Sequence, residues 1–260
     1  MESLRIYGKA PFKIAVIHGG PGAPGQMAPV ARELSGDWGI LEPFQKATSL
    51  EGQVREMKEI LEENGKPPFT LIGSSWGAML SLIFSSRHPG FTNKIILIGS
   101  GVYEEKYSSN ILETRLNRLS KAERMEAHSM MEAINDPAIQ DKNTPMTILG
   151  RLFMKSDSYN PLSMDSEALE CQYHIYKNVW QEVKELRMSG KLLDIGKRVQ
   201  CPVVAIHGDY DPHPPEGVQR PLSRILKDFQ FFLLKNCGHY PWNEMEARDE
   251  FYKILKNQLC

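Results

Sequence analysis

At 260 residues, 41 % of them hydrophobic, the chain is long enough to bury a large core within one α/β domain. Its 31 Lys and Arg against 32 Asp and Glu give a formal charge of −1, so binding to nucleic acid or an anionic membrane has no electrostatic support. No apolar run approaches the roughly 18 residues of a membrane helix, and Met1-Glu2-Ser3-Leu4-Arg5 lacks a basic region leading into a long apolar stretch, so a soluble, cytoplasmic protein is expected.

In chain order, Ile14-Ala15-Val16-Ile17 closes a strand at 13–17 and runs into His18-Gly19-Gly20-Pro21-Gly22. A short helix over 27–34 and a short strand over 38–41 follow. Ser49 with Gln53-Val54 opens a helix to Glu62, with Val54, Met57, Ile60 and Leu61 on one face as core packing. Phe69-Thr70-Leu71-Ile72 is β-prone and Ala78-Met79-Leu80-Ser81-Leu82-Ile83-Phe84 favours a helix. Between them lies Gly73-Ser74-Ser75-Trp76-Gly77, a G-x-S-x-G turn that sets Ser75 on a sharp strand-to-helix corner, with glycines where the corner is crowded. That helix ends near His88-Pro89-Gly90, and a strand over 94–98 completes a βαβ alternation, which implies a mostly parallel sheet flanked by helices.

From 103 to 196 the pattern changes to polar turns interleaved with helices, Arg115 to Ile134 being the clearest helical stretch. The expected organisation is a core of residues 1–102 and 197–260 with 103–196 as a helical lid over the carboxyl ends of the strands. Met125, Met130, Met131, Met146, Met154 and Met164 in this segment are either core fillers or the lining of an adaptable pocket. Beyond it, Val203-Val204-Ala205-Ile206 leads into His207-Gly208-Asp209-Tyr210-Asp211-Pro212, and Phe231-Phe232-Leu233-Leu234 leads into Cys237-Gly238-His239.

A serine, an acid and a histidine, each after a strand-like run and in the order Ser75, Asp211, His239, match the chain order of an α/β-hydrolase triad. The chain resembles α/β-hydrolase-fold serine hydrolases over roughly residues 12–102 and 198–258. Its His18 to Gly22 string together with Gly73 to Gly77 looks most like the proline iminopeptidase branch. The resemblance implies Ser75 as nucleophile, His239 as general base and Asp211 as the acid that orients it. It also implies an oxyanion hole from the backbone N–H groups of Gly20 and Trp76.

Several other readings compete. Asp209 is a rival acid, which strand alternation would place on the same side as Asp211, although the G-x-x-D spacing from Gly208 favours Asp211. His207-x-Asp209-x-Asp211-x-His213 has the period of a metal site, but a metal would leave Ser75 and His239 without roles and the Pro-rich continuation breaks the alternation, so no metal and no cofactor is expected. Cys171, Cys201, Cys237 and Cys260 have no zinc-type spacing and read as free thiols, with Cys237 poorly placed to pair with His239 as nucleophile. His18 is expected to pack or hydrogen-bond behind the oxyanion loop, the Trp76 ring to pack, and Tyr240-Pro241-Trp242 to brace the histidine loop. His88, His128 and His174 show no partner.

The chain departs from the iminopeptidase pattern where that branch carries D-x-R-G-x-G-x-S, since residues 41–49 read Leu-Glu-Pro-Phe-Gln-Lys-Ala-Thr-Ser. Nor does a local motif mark any of Glu104, Glu105 or Glu113 as the lid glutamate that would hold a substrate amine. The expected activity is therefore hydrolysis of a small carboxylic ester or amide through an acyl-enzyme. A proline iminopeptidase-like aminopeptidase, and a ligand-binding receptor that keeps the triad with little turnover, are the alternatives. A serine at position 75, rather than an aspartate, argues against dehalogenase and epoxide hydrolase chemistry.

Overall fold

The computed structural model describes residues 2–164 and 172–259. Seven strands, β1 (Leu4–Tyr7), β2 (Phe12–Ile17), β3 (Gly39–Pro43), β4 (Phe69–Ser74), β5 (Thr92–Ile98), β6 (Val203–Gly208) and β7 (Phe229–Leu234), form one sheet in the order 1-3-2-4-5-6-7. Only β1 runs antiparallel, against β3; every other pair is parallel. β1 is the strand that local pattern does not announce: four residues at the sheet edge, held by non-local pairing of Leu4 with Pro43 and Tyr7 with Ile40.

The central strands bury both faces, as a parallel sheet requires. Ala15, Ile17, Leu71, Ile95, Leu97 and Ala205 point into one apolar layer, and their neighbours Val16, Ile72, Ile96, Ile98 and Ile206 into the other. The first layer is closed by α2 (Leu50–Asn64) and α3 (Trp76–Arg87), the second by α1 (Ala28–Leu34) and α10 (Arg248–Asn257). Ser49 caps α2 by accepting the Gly52 N–H at 3.1 Å, and Leu50, Val54, Met57 and Leu61 form its buried face. Every residue of α3 except Arg87 is buried, so this helix is enclosed all round and runs through the centre of the layer.

Between β5 and β6 lie α4 (Ile111–Arg118), α5 (Lys121–Asn135), α6 (Asn143–Asp157), α7 (Tyr173–Met188) and α8 (Lys191–Gly196). The stretch from Arg115 to Ile134 is two helices rather than one. Ser120 starts α5 by accepting the Glu123 N–H while the Glu123 carboxylate takes the Ser120 N–H, a reciprocal cap that ends α4 at Arg118. Met130 and Met131 pack with Leu119, Ala127 and Leu149 in a small core of their own, whereas Met125 and Met164 are exposed. α7 instead drives Val179 and Val183 into the layer over the sheet. α9 (Glu216–Ile225) lies between β6 and β7. Among the described residues no helix is long and apolar enough to cross a membrane.

Two buried carboxylates bind the inserted helices to the loop after β7. Asp157, at the end of α6 and 1 % exposed, receives a two-pronged bond from Arg115 of α4, Nε to Oδ1 at 2.7 Å and Nη2 to Oδ2 at 2.6 Å. Its backbone carbonyl accepts the N–H of His239 at 2.8 Å. Glu244, fully buried, gathers the N–H groups of Tyr159, Asn160 and Gly238 at 2.8, 2.8 and 2.9 Å. Arg115→Ala leaves the Asp157 charge buried without its partner and should cost roughly 3–5 kcal/mol in urea unfolding. Adding Asp157→Asn should recover part of that loss. Equal stability of Arg115→Ala and the parent would show that the pair holds nothing together.

Candidate active site

Ser75 sits at the corner between β4 and α3 with φ 52° and ψ −113°, a positive φ that a residue with a side chain adopts only at a cost of about 1–3 kcal/mol. The corner closes because its two glycines lack side chains. A Cβ on Gly73 would lie 2.2 Å from the Gly77 carbonyl oxygen, and one on Gly77 would lie 2.2 Å from that of Ile17 at the end of β2. The Ser75 N–H donates to Ile98 O at 2.9 Å, which sets the half-buried serine at the carboxyl end of β5 as well as of β4.

The His18 to Gly22 loop lies against it. A Cβ on Gly19 would come within 3.2 Å of Ser75 Cβ, and Gly20, at φ +105°, folds back on the N–H groups of Gly22 and Ala23. Trp76 is the first residue of α3, so its N–H has no intrahelical acceptor. Its buried indole turns away into the core and donates from Nε1 to Gln53 Oε1 at 2.9 Å. His18 is fully buried, with Nδ1 2.8 Å from Gly19 O, and burial pushes its imidazole down to about 4, so it stays neutral behind the loop. Gln26, which no motif marks, takes the Gly19 N–H at 3.0 Å and faces Tyr240 of the histidine loop.

Asp211 and His239 are brought together from the turns after β6 and β7. His239 Nδ1 lies 2.6 Å from Asp211 Oδ2, both groups buried, and the carboxylate is completely enclosed. Gly99, the residue after Ile98, lets them meet beside Ser75. A Cβ there would fall 3.2 Å from His239 Nδ1 and 3.4 Å from Asp211 Oδ2. Among the described residues no hydrogen bond joins Ser75 to His239; such contacts are commonly loose before substrate binds.

Two more histidines crowd the same carboxylate. His213 places both its backbone N–H and its Nδ1 at 2.8 Å from Oδ1, and His207 Nε2 is 3.5 Å from Oδ2 and 2.8 Å from the His213 carbonyl. Burial alone would raise the Asp211 carboxyl, but the surrounding imidazoles hold it well below the usual range. Burial would likewise lower His239, yet the charge and hydrogen bond of Asp211 leave its imidazole raised above 6.5.

Asp209 does not share this enclosure. Regular alternation stops with β6 at Gly208, the Asp211 N–H turns back to Gly208 O at 3.3 Å, and Asp209 is exposed with Oδ2 3.5 Å from Lys235 Nζ. The four-residue metal string therefore does not converge. What does lie together is Asp211, His213 and His239, each imidazole hydrogen-bonded to the shared carboxylate. Cys237 and Cys201 are disfavoured as thiolates, burial pushing both up, Cys201 to about 11. Cys171 and Cys260 lie outside the described residues. His88 packs between Phe84 and Phe91. A cavity of about 360 Å³ opens beside the glycine loop, where the Gln172 N–H donates to Gly22 O; Lys46, Asn143 and Tyr173 line it, but neither Ser75 nor His239 does.

Residues 42–242 match the sequence profile of the alpha/beta hydrolase fold family. Over 99 % of its length the chain is 23 % identical to a pyrrolizixenacetamide deacetylase from Xenorhabdus hominickii, spanning 94 % of that protein. It is also 23 % identical, over 98 % of its length and 93 % of the relative's, to a proline iminopeptidase from Lactobacillus crispatus strain ST1. Among solved structures it superimposes on a Paleococcus ferrophilus monoacylglycerol lipase with a TM-score of 0.63 at 15 % identity, covering 100 % of this chain and 98 % of the other. With a family match over more than half its length and a parallel sheet whose serine, acid and histidine follow β4, β6 and β7, the chain belongs to the α/β-hydrolase family and is a hydrolase.

Proposed function

We propose that the protein hydrolyses a small carboxylic ester or amide through an acyl-enzyme on Ser75. The observation that carries this reading is the 2.6 Å contact between Asp211 and His239 Nδ1. An ionised carboxylate only accepts hydrogen bonds, so the proton is on Nδ1 and the lone pair of Nε2 is left to take the Ser75 proton. The serine oxygen then adds to the substrate carbonyl, and the oxyanion is received by the N–H groups of Gly20 and Trp76. The imidazolium returns its proton to the departing alcohol or amine. Water, deprotonated by the same Nε2, cleaves the acyl-serine ester and regenerates the hydroxyl.

In this reading residues 103–196 act as a lid on a core of 1–102 and 197–260, and no metal or other cofactor takes part. Esters are the preferred substrates. Of the glutamates Glu104, Glu105 and Glu113, the first two are already engaged, with Arg224 at 2.7 Å and Arg187 at 2.7 Å, which disfavours them as holders of a substrate amine. The similarity to an iminopeptidase supports the alternative, an aminopeptidase.

A fluorophosphonate probe should label Ser75, and Ser75→Ala or His239→Ala should abolish labelling; modification at another serine would refute the nucleophile. Asp211→Asn should lower kcat by about 10⁴-fold while Asp209→Asn does far less, and a chelator should leave turnover unchanged. Binding without sustained turnover would instead favour a receptor.

Since the base must be neutral and Asp211 raises its pKa, kcat/KM should climb with pH through a midpoint above 6.5. A midpoint below that value would mean that Asp211 does not govern His239. Catalytic efficiency on a short-chain acyl ester should exceed that on a prolyl arylamide, with Ser75→Ala as background. The reverse preference would overturn the esterase reading and make an amine-binding acid the residue to find.

A further inference from the structure

The proposed triad needs one partner for Asp211, yet two imidazoles bind the carboxylate, one on each oxygen. His239 Nδ1 is 2.6 Å from Oδ2 and His213 Nδ1 is 2.8 Å from Oδ1. The two rings lie 4.8 Å apart at 31°. Acceptor chemistry fixes both tautomers. An ionised carboxylate has no proton to give, so each Nδ1 carries its own. The His213 carbonyl accepts from His207 Nε2 at 2.8 Å, so His213 is held from its ring, its N–H and its C=O at once.

Resting on the catalytic reading above, we propose that His213 is a positioning residue of the triad. By occupying Oδ1 with two donors it fixes the plane of the Asp211 carboxylate, reserves Oδ2 for His239, and draws off part of the charge that would otherwise stabilise the imidazolium of His239.

The charged and titratable groups around the pair limit what else could set their titration. From α4 and α6, Arg115 and Asp157 face His239 as an ion pair, and Tyr240 follows it in sequence with its ring 4.9 Å away. Around His213 stand Asp211, His239, His207 and, further out, Arg115. Burial, working against Asp211, lowers the His213 imidazole, so it stays neutral while His239 takes up and returns the proton. A neutral donor stays in place through the whole cycle; a second imidazolium 4.8 Å from the first would oppose proton transfer.

His213→Leu and His213→Asn test this. Leucine removes the ring donor, whereas the asparagine amide nitrogen, like Nδ1, is two bonds from Cβ and restores a non-titrating donor to Oδ1. His213→Leu should lower kcat roughly 10-fold with KM unchanged, a loss far smaller than that of removing the acid itself. It should also move the acid limb of kcat/KM upward by roughly 0.5–1 pH unit, because the undivided carboxylate charge then acts on His239. His213→Asn should rescue both. An unmoved acid limb in His213→Leu, or equal shifts in the two variants, would overturn the proposal, since filling space alone moves neither limb selectively.

A measurement that needs no turnover stands beside these. In ¹⁵N-histidine-labelled Ser75→Ala protein, His213 should show a protonated Nδ1 and an unprotonated Nε2, and its Nδ1 signal should vanish in the His213→Asn background. The Nε2–H tautomer at His213 would refute the contact even where the leucine variant fails to fold. Loss of the Ser75 assignment with the Nδ1–H tautomer intact would place the failure in the catalytic reading instead.

Discussion

Everything at the carboxyl edge of the sheet depends on how closely two pieces of backbone meet at Gly73 and Gly77. With Gly77 packed on the end of β2 and Gly73 packed on Gly77, α3 is drawn down onto the sheet until no side chain fits between them. The tightness of this contact is what forces Ser75 into a positive φ, and burial of nearly the whole of α3 is what supports the strain. One consequence is positional. Because the corner is anchored to β2 through Gly77 and to β5 through Ile98, the loops that follow those two strands are compelled to gather around the serine.

The second organising element is a single negative charge placed where water does not reach. Asp211 would be untenable there alone; it is tolerated because its lone pairs are taken by two imidazole donors and a backbone N–H. Such an enclosure also removes rotational freedom from the acid. The buried ion pair of Arg115 and Asp157 follows the same logic at the other side of His239, so the histidine backbone and ring are each held by a group that is itself fully committed.

How much of this is legible in the sequence depends on whether a feature is local. Strand ends marked by glycine and turn residues could be read, so Ser75, Asp211 and His239 fall after β4, β6 and β7 as their flanking apolar runs imply. β1 could not, since Leu4 to Tyr7 owes its state to pairing with β3 some 35 residues away. Side-chain direction after a strand was equally out of reach. Alternation suggested that Asp209 and Asp211 share a face, but the chain turns at Gly208 and sends them apart. His207 and His213 drew attention only as metal-ligand types, although the Asp211-Pro212-His213 turn carries the local signal of an aspartate accepting from the backbone two residues on. Gln26, Gln53 and Asp157 have no local signal, because what each supports is brought to it by the folded sheet.

The bond from the His239 N–H to the Asp157 carbonyl means that the histidine loop and the last turn of α6 share a boundary. Any motion that lifts α6 away from the sheet must first break that bond, and with it one of the constraints on the imidazole. With α6 lifted, the His239 loop would lose part of its footing, and full constraint returns only when α6 is seated. The fold in this way contains an interlock: the backbone of His239 and the seat of α6 are held, or released, together.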